Sequence, residues 1–409
     1  MRNPFICAIL ALVTLVSCAS PATQTIAPTF TPNSTSTVSA PVTNITNGCV
    51  QQYDSNTDYF PEKVTVEYAS GFTIEYFKNY KVVSVLDPYA DTQKAFQYIL
   101  VQCGTPAPEG FDQSAIVEVP IRSIITLSSS YLPFLKALGL YDRLVGVDTV
   151  SWIYDPDVLQ KAKDGKLIEV GFGAEVNIEQ VLNLNPDLIM TGIYRQSKFN
   201  NYPLLSDAGL KVVINTDFLE STPLGRAEWI KFMGVFFNQE QNATEFFTQK
   251  SDRYGEIATL ANGVTDKPSV LWGVPGKDTW YVPGGRSFEA TLFADAGARY
   301  WWENDTEPGK IPLAFEAVFD TAADSDYWLA ADGYPTLSDM LTADSRLSSF
   351  TATANNRVWS NDARVNDAGG NDYWESGVVN PDIVLADLIK IFHPELLPDH
   401  ELVYWRLLK

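Results

Sequence analysis

Histidine is almost missing from this sequence: two residues in 409, His393 and His400, both near the C-terminus. That scarcity excludes a metal site built from several imidazoles. The segment that joins them, HPELLPDH, also holds acids, but Pro394 and Pro398 break the helix that a zinc motif needs. Basic residues are scarce too, with 29 Lys and Arg against 50 Asp and Glu, for a formal net charge of −21. So acidic a chain repels nucleic acid and anionic lipid headgroups, and nucleic acid is excluded as a partner. There is no G-x-S-x-G elbow, no P-loop and no H-E-x-x-H. NDARVNDAGGND holds acids without EF-hand spacing and reads as a solvated loop. No catalytic residue, metal ligand or cofactor is therefore assigned, and the chain is not read as an enzyme.

Cysteine is limited to four residues, and charge is absent from Ala19 to Tyr53. The opening MRNPFICAILALVTLVSCAS has a basic start at Arg2 and an apolar run of leader length, short for a membrane span. Ser17 followed by Cys18 resembles the bacterial lipobox, in which that cysteine is lipidated and becomes the new N-terminus. Two or more acyl chains give stable anchoring. The uncharged Ser, Thr, Pro and Asn-rich stretch behind it reads as a flexible tether. With Cys7 removed and Cys18 lipidated, Cys49 and Cys103 remain, and outside the cytoplasm a disulfide between them is expected.

What is present is a large apolar stock, 45% hydrophobic and 12% aromatic, enough for two ordinary cores. From about Val64 the chain is β-rich (VTVEY, FTIEYF, KVVSVL, YILVQCG). Short strands then alternate with helices through SIITLS, YLPFLKAL, RLVGVD, NIEQVLNL, DLIM and KVVI. That alternation predicts a parallel sheet with crossover helices. A helix over about Gln239–Ala261 carries Ala243, Phe246, Phe247, Tyr254, Ile257 and Leu260 on one face. The strand–helix alternation then restarts and ends in a helix near Pro381–Phe392. The fold class is α/β: two Rossmann-like lobes with mostly parallel sheets, joined by one long interdomain α-helix. The expected boundaries are a signal peptide at 1–17, lipidated cysteine and tether at 18–53, and an N-terminal lobe with its β-rich elaboration at 54–238. A linking helix at 239–261 and a C-terminal lobe at 262–409 follow.

The halves echo one another. YLPFLKALGLYDRLVGVD matches SFEATLFADAGARYWWEN as helix, glycine stop, strand. NIEQVLNLNPDLIM matches LAFEAVFDTAADSDYWLA. In NIEQVLNL, Asn177 can cap a helix whose core face is Ile178, Val181 and Leu182, with Gln180 at the capping-box position and Pro186 ending it. Glu179 lies off that face, and Glu316 holds the same place two residues before Val318. One such glutamate is explained by the helix dipole, at roughly 0.3–1 kcal/mol; two in matching places form a pair.

Lobe, long helix and lobe behind a lipobox and tether resemble the substrate-binding lipoproteins of ABC importers, of the helical-backbone group that takes ferric siderophores, haem and cobalamin. VNIEQVLNLNPDLIM, PGGRSFEATLFADAG and AFEAVFDTAADSDYWLA are similar to segments of that family, and the resemblance runs from about Ile124 to Leu397. It implies a periplasmic binding protein at the cell membrane, lipid-anchored on the extracytoplasmic face and monomeric. It further implies a partner permease dimer with ATPase subunits, whose arginine pockets receive Glu179 and Glu316. The cargo implied is a ferric-siderophore-type iron complex, alternatively a corrinoid or haem; an anchored sensor or enzyme on the same fold is the remaining alternative. Solutes of α/β sheets bind at the carboxyl ends of the strands. The loops expected there offer Tyr131, Trp152, Tyr194, Trp280 and Trp374 for stacking, and Arg195, Arg286 and Arg364 for anionic oxygens.

Overall fold

Alternation of apolar and polar residues builds the first sheet. In β1 (Phe72–Tyr76) Phe72 is buried while Thr73 and Glu75 face out, and in β2 (Tyr80–Leu86) Val83 and Val85 are fully buried. β3 (Ala95–Gln102) and β4 (Ile116–Val119) complete a sheet of order β1-β2-β3-β4, antiparallel except between β3 and β4. This computed structural model describes residues 13–15, 40–87, 89, 95–277, 279–331 and 333–409. Cys18 lies outside them, as do the leader and tether before residue 40 apart from 13–15.

Two of the expectations for this region are corrected. The tether was expected to run to Tyr53, but Asn44 is buried and exchanges hydrogen bonds with the Glu62 backbone and carboxylate. A Cys49–Cys103 disulfide, with Cα atoms 4.9 Å apart, also ties this segment to the end of β3. VTVEY was expected as a strand, yet its backbone forms none. The physical reason is that the donors at its end and directly after it are taken elsewhere. The amides of Glu67, Tyr68 and Ala69 donate to the Glu228 carboxylate, and those of Ser70 and Gly71 donate to Glu220. Five consecutive N–H groups thus converge on two buried carboxylates instead of on a neighbouring strand. Gly71 has no alternative, since a Cβ there would stand 2.8 Å from the Trp229 ring.

The next sheet follows β5 (Ile124–Thr126), α1 (Leu132–Ala137), β6 (Leu144–Val147), α2 (Pro156–Lys163), β7 (Ile168–Glu169), α3 (Ile178–Leu184), β8 (Leu188–Thr191), α4 (Tyr202–Asp207) and β9 (Val212–Ile214). Its order is β7-β6-β5-β8-β9, parallel throughout. β5 and β8 are buried at every position, as a sheet covered on both faces demands.

Helices α5 (Pro223–Ala227) and α6 (Trp229–Val235) lead to α7, Glu240–Ala261, whose 22 residues span about 33 Å at 1.5 Å each. Ala243 and Phe247 of α7 join the core beneath the first two sheets, and Tyr254, Ile257 and Ala261 join the core of the following one. Leu260 is exposed, against expectation. At its start, Glu240 pairs with Lys81 of β2 at 2.5 Å, both side chains fully buried. The Lys81 ammonium also donates to Val235 O and Asn238 Oδ1. This buried pair, with the ammonium held by three acceptors, ties the first sheet to the long helix.

The last sheet lies in the segment that runs through β10 (Ser269–Trp272), β11 (Trp280–Pro283), α8 (Phe288–Asp295), β12 (Arg299–Tyr300), β13 (Lys310–Leu313), α9 (Phe315–Ala322), β14 (Tyr327–Leu329), α10 (Leu337–Ala343), α11 (Thr351–Ala354), β15 (Val358–Ser360), α12 (Pro381–Phe392) and β16 (Arg406–Leu407). Its order is β12-β10-β14-β15-β16 with only β16 antiparallel, while β11 and β13 pair apart from it. β10, β12, β14 and β15 take the places of β5, β6, β8 and β9. Gly139 and Gly297, at φ +69° and +73°, follow the equivalent helices α1 and α8, where a left-handed residue is needed.

Candidate functional site

Five parallel strands of the N-terminal half end on one edge, and the loops leaving four of them carry aromatic rings. Trp152 follows β6, Phe172 follows β7, Tyr194 and Phe199 follow β8, and Phe218 follows β9. The rings touch in series: Trp152 to Phe172 at 5.0 Å, Phe172 to Phe199 at 5.7 Å, Phe199 to Tyr194 at 6.3 Å, Tyr194 to Phe218 at 5.3 Å. Trp152 is 47% exposed and the others are half-buried, so the series forms a wall with one apolar face open. Arg195 stands beside it, exposed, with its guanidinium 5.5 Å from the Tyr89 ring. Tyr89 comes from the elaboration, which therefore reaches this edge.

Beneath the wall lies a polar floor. Tyr131 was expected to contact solute, but it is buried, with its phenol donating to Asn215 O at 3.0 Å. It supports the site from within, because the short turn before α1 points its ring into the core. Asp217 is fully buried and accepts from Arg226 Nε at 3.1 Å. Burial pushes its carboxyl up, and Arg226 opposes this. Asp148, at the end of β6, is raised to about 7, first by burial and then by Glu169, against the Thr149 amide it accepts. Phe172, Phe199, Phe218 and these two aspartates were not foreseen, although Phe172 sits between Gly171 and Gly173 directly after β7, where strand-end chemistry is expected.

The C-terminal half contributes differently. Trp280 is fully buried, its indole donating to Trp272 O at 3.0 Å, and cannot stack on a solute. Alternation in β11 decides this: Trp280 and Val282 face in and Tyr281 faces out. Trp374 is half-buried, edge-on to Tyr373 at 4.7 Å. Arg286 is exposed in the turn before α8. There Gly285 packs so closely that a Cβ would meet the carbonyl oxygens of Glu303 and Asp305 at 2.5 Å. Arg364 is engaged, pairing with Asp372 at 3.0 Å and donating to the Tyr154 phenol at 3.4 Å.

Glu179 and Glu316 are both exposed, each in the first turn of the helix before a matching strand, α3 before β8 and α9 before β14. In α3 the Asn177 carboxamide accepts from the Gln180 amide and Asn185 closes the helix left-handed. Glu316 has a distant ion pair with Arg346 at 3.9 Å.

A cavity of about 450 Å³ lies elsewhere. Its lining includes Arg122, Arg143, Asp187 and Lys211, which precede β5, β6, β8 and β9. It therefore opens at the amino ends of those strands, where sheets of this kind do not bind solutes, and the carboxyl edge is the better candidate. Both histidines serve structure, His400 bonding Asp387 at 2.6 Å and His393 bonding Gly297 O. Among the described residues no three His, Cys, Asp or Glu gather as metal ligands, and no helix is long and apolar enough to cross a membrane.

Residues 124–365, more than half of the sequence, match the family described as periplasmic binding protein. The chain belongs to that family. It is a solute-binding protein of the ABC-transporter type, in a family of receptors and not of enzymes. The binding protein is 24% identical to an uncharacterized lipoprotein of Methanocaldococcus jannaschii over 388 residues, covering 87% of this chain and 91% of the relative. Among solved structures it is similar to CeuE of Helicobacter pylori, with a TM-score of 0.55 and 14% identity over 78% of this chain and 90% of that one. A possible iron-binding periplasmic solute-binding protein of Staphylococcus epidermidis gives a TM-score of 0.52 at 21% identity, over 67% and 99%. These likenesses establish the two-lobed α/β fold.

Proposed function

We propose that the binding protein is a lipid-anchored extracytoplasmic receptor that captures a ferric-siderophore-type iron complex between its halves. It delivers that complex to an ABC permease dimer driven by ATPase subunits. The aromatic wall from Trp152 to Phe218 carries this reading: a bulky, partly flat chelate gains stacking and apolar burial there. Arg195 and Arg286 supply exposed cations for catecholate, carboxylate or propionate oxygens, and Trp374 adds a half-buried ring from the other side. Glu179 and Glu316 dock on the permease, where exposed charge pairs set register and on-rate more than affinity. Cys18 anchors the chain, and the uncharged segment behind it keeps the receptor near its permease.

A flat macrocycle is the second reading, because edge-on and stacked rings in series also suit haem or a corrinoid. Two of the similar structures are described as haem-binding proteins, from Pseudomonas aeruginosa and Roseiflexus. Tryptophan fluorescence titrations with catecholate and hydroxamate ferric siderophores, haemin and cyanocobalamin separate the readings. Saturable quenching by a siderophore alone is expected. Saturation by haemin or cyanocobalamin alone replaces the ligand, and no saturation by any of them removes the capture reading.

A further inference from the structure

The backbone just after Trp152 is held from the opposite half of the molecule. Both oxygens of Glu375, in the loop between β15 and α12, accept from this strip: Oε2 from the Tyr154 amide at 2.8 Å and Oε1 from the Asp155 amide at 3.0 Å. Asn366 Nδ2 donates to Ile153 O at 2.7 Å. Gly370 lies against the same carbonyl, so closely that a Cβ would stand 2.4 Å from it. Arg364 reaches the Tyr154 phenol while pairing with Asp372. Three consecutive residues, Ile153 to Asp155, thus each have one backbone group satisfied by the C-terminal half: the Ile153 carbonyl and the Tyr154 and Asp155 amides.

The loop is itself cross-tied. Asn366 Oδ1 accepts from the Ala368 and Gly370 amides, and Asp372 Oδ1 accepts from the Ser376 amide. Val378 and Val379 at its far end are buried in the core of the N-terminal half. On the receiving side Asp155 caps α2, accepting from the Asp157 and Val158 amides, and Lys136 pairs with it at 2.5 Å. Glu375 and Asp155 are both buried. Two buried carboxylates this close are costly unless their hydrogen bonds are kept, so the contact tolerates little displacement.

We infer that the 361–379 loop is a crosspiece through which the C-terminal half sets the position of the Trp152 loop, with Glu375 as the positioning residue. A change in the spacing of the halves is then transmitted to the exposed end of the aromatic wall. The solute role of that wall rests on the function proposed above; the crosspiece does not, and it is tested without any solute.

The test is hydrogen–deuterium exchange of the full-length protein, wild type beside Glu375→Gln, Glu375→Met and Asn366→Ala. Exchange of the amides at 154 and 155 is expected to rise at least tenfold in both Glu375 variants. Asn366→Ala should raise it severalfold, although every change lies in the other half. The control segment 188–191 in β8 should stay within twofold, with Tm little changed, and Glu375→Gln should be milder than Glu375→Met because one acceptor oxygen remains. Unchanged exchange at 154 and 155 in Glu375→Gln and Asn366→Ala overturns the inference, and so does acceleration shared equally by 188–191. If Glu375→Met does not fold, the other two variants decide.

Discussion

The two halves share a strand order and differ in what the loops at their strand ends do with aromatic residues. In the N-terminal half the rings after β6 to β9 line an open edge. In the C-terminal half Trp272, Trp280, Trp328 and Trp405 are all buried, with Trp280 and Trp328 centroids 5.6 Å apart. Both halves bury an aromatic core, the first around Phe72, Trp229 and Phe232, but the same frame gives the N-terminal half an open wall as well. It also gives the second half the loop that reaches across to Ile153–Asp155. The shared frame keeps what the sheet needs, apolar strands and left-handed stops, while the loops differ between the halves.

The comparison can be broken first at the pair it treats as equivalent. Changing both Glu179→Ala and Glu316→Ala should lower uptake of the captured solute by more than tenfold in cells, with solute affinity unchanged in vitro. Normal uptake by the double variant would separate these glutamates from docking. Next comes the contrast between two tryptophans. Trp280→Ala removes a fully buried ring and should cost about 3–5 kcal/mol in denaturant unfolding. Trp152→Ala should leave stability within about 1 kcal/mol and weaken solute binding roughly tenfold, a loss of about 1.4 kcal/mol. Equal destabilisation by the two would erase the distinction between wall and core.

The smallest effect concerns the floor. Asp148 holds its proton to about pH 7 when folded, against an ordinary value of 3.8, because burial disfavours the charge. The folded state then binds more protons than the unfolded chain between those values, so stability falls as pH rises from about 4 to about 7. Glu375, also raised to about 7 by burial, adds to the fall. Asp148→Asn should flatten the curve of Tm against pH in that window without abolishing it. An unchanged slope would mean that Asp148 titrates normally.

Several elements are legible in the sequence itself. Asn177 and Gln180 marked the start of α3, Gly139 and Gly297 marked helix ends, and Pro381–Phe392 read as the last helix, because caps, stops and apolar periodicity act within a few residues. The site was legible by loop and not by residue. Trp280 and Tyr131 looked available as any large aromatic near a strand end does, and a shift of one position along the pleat would have exposed Trp280. VTVEY had a strand's pattern and lost it to Glu228, some 160 residues away.

From sequence alone came the α/β alternation, the doubled half, the long helix and the exposure of Glu179, all consequences of short-range periodicity and local steric rules. Tertiary structure decided which aromatic rings face the cleft, where the Asn44–Tyr53 segment is pinned, and that Glu375 grips the opposite half. Those outcomes depend on burial and on hydrogen bonds between residues far apart in the chain, whose partners are chosen only when the sheets and helices pack.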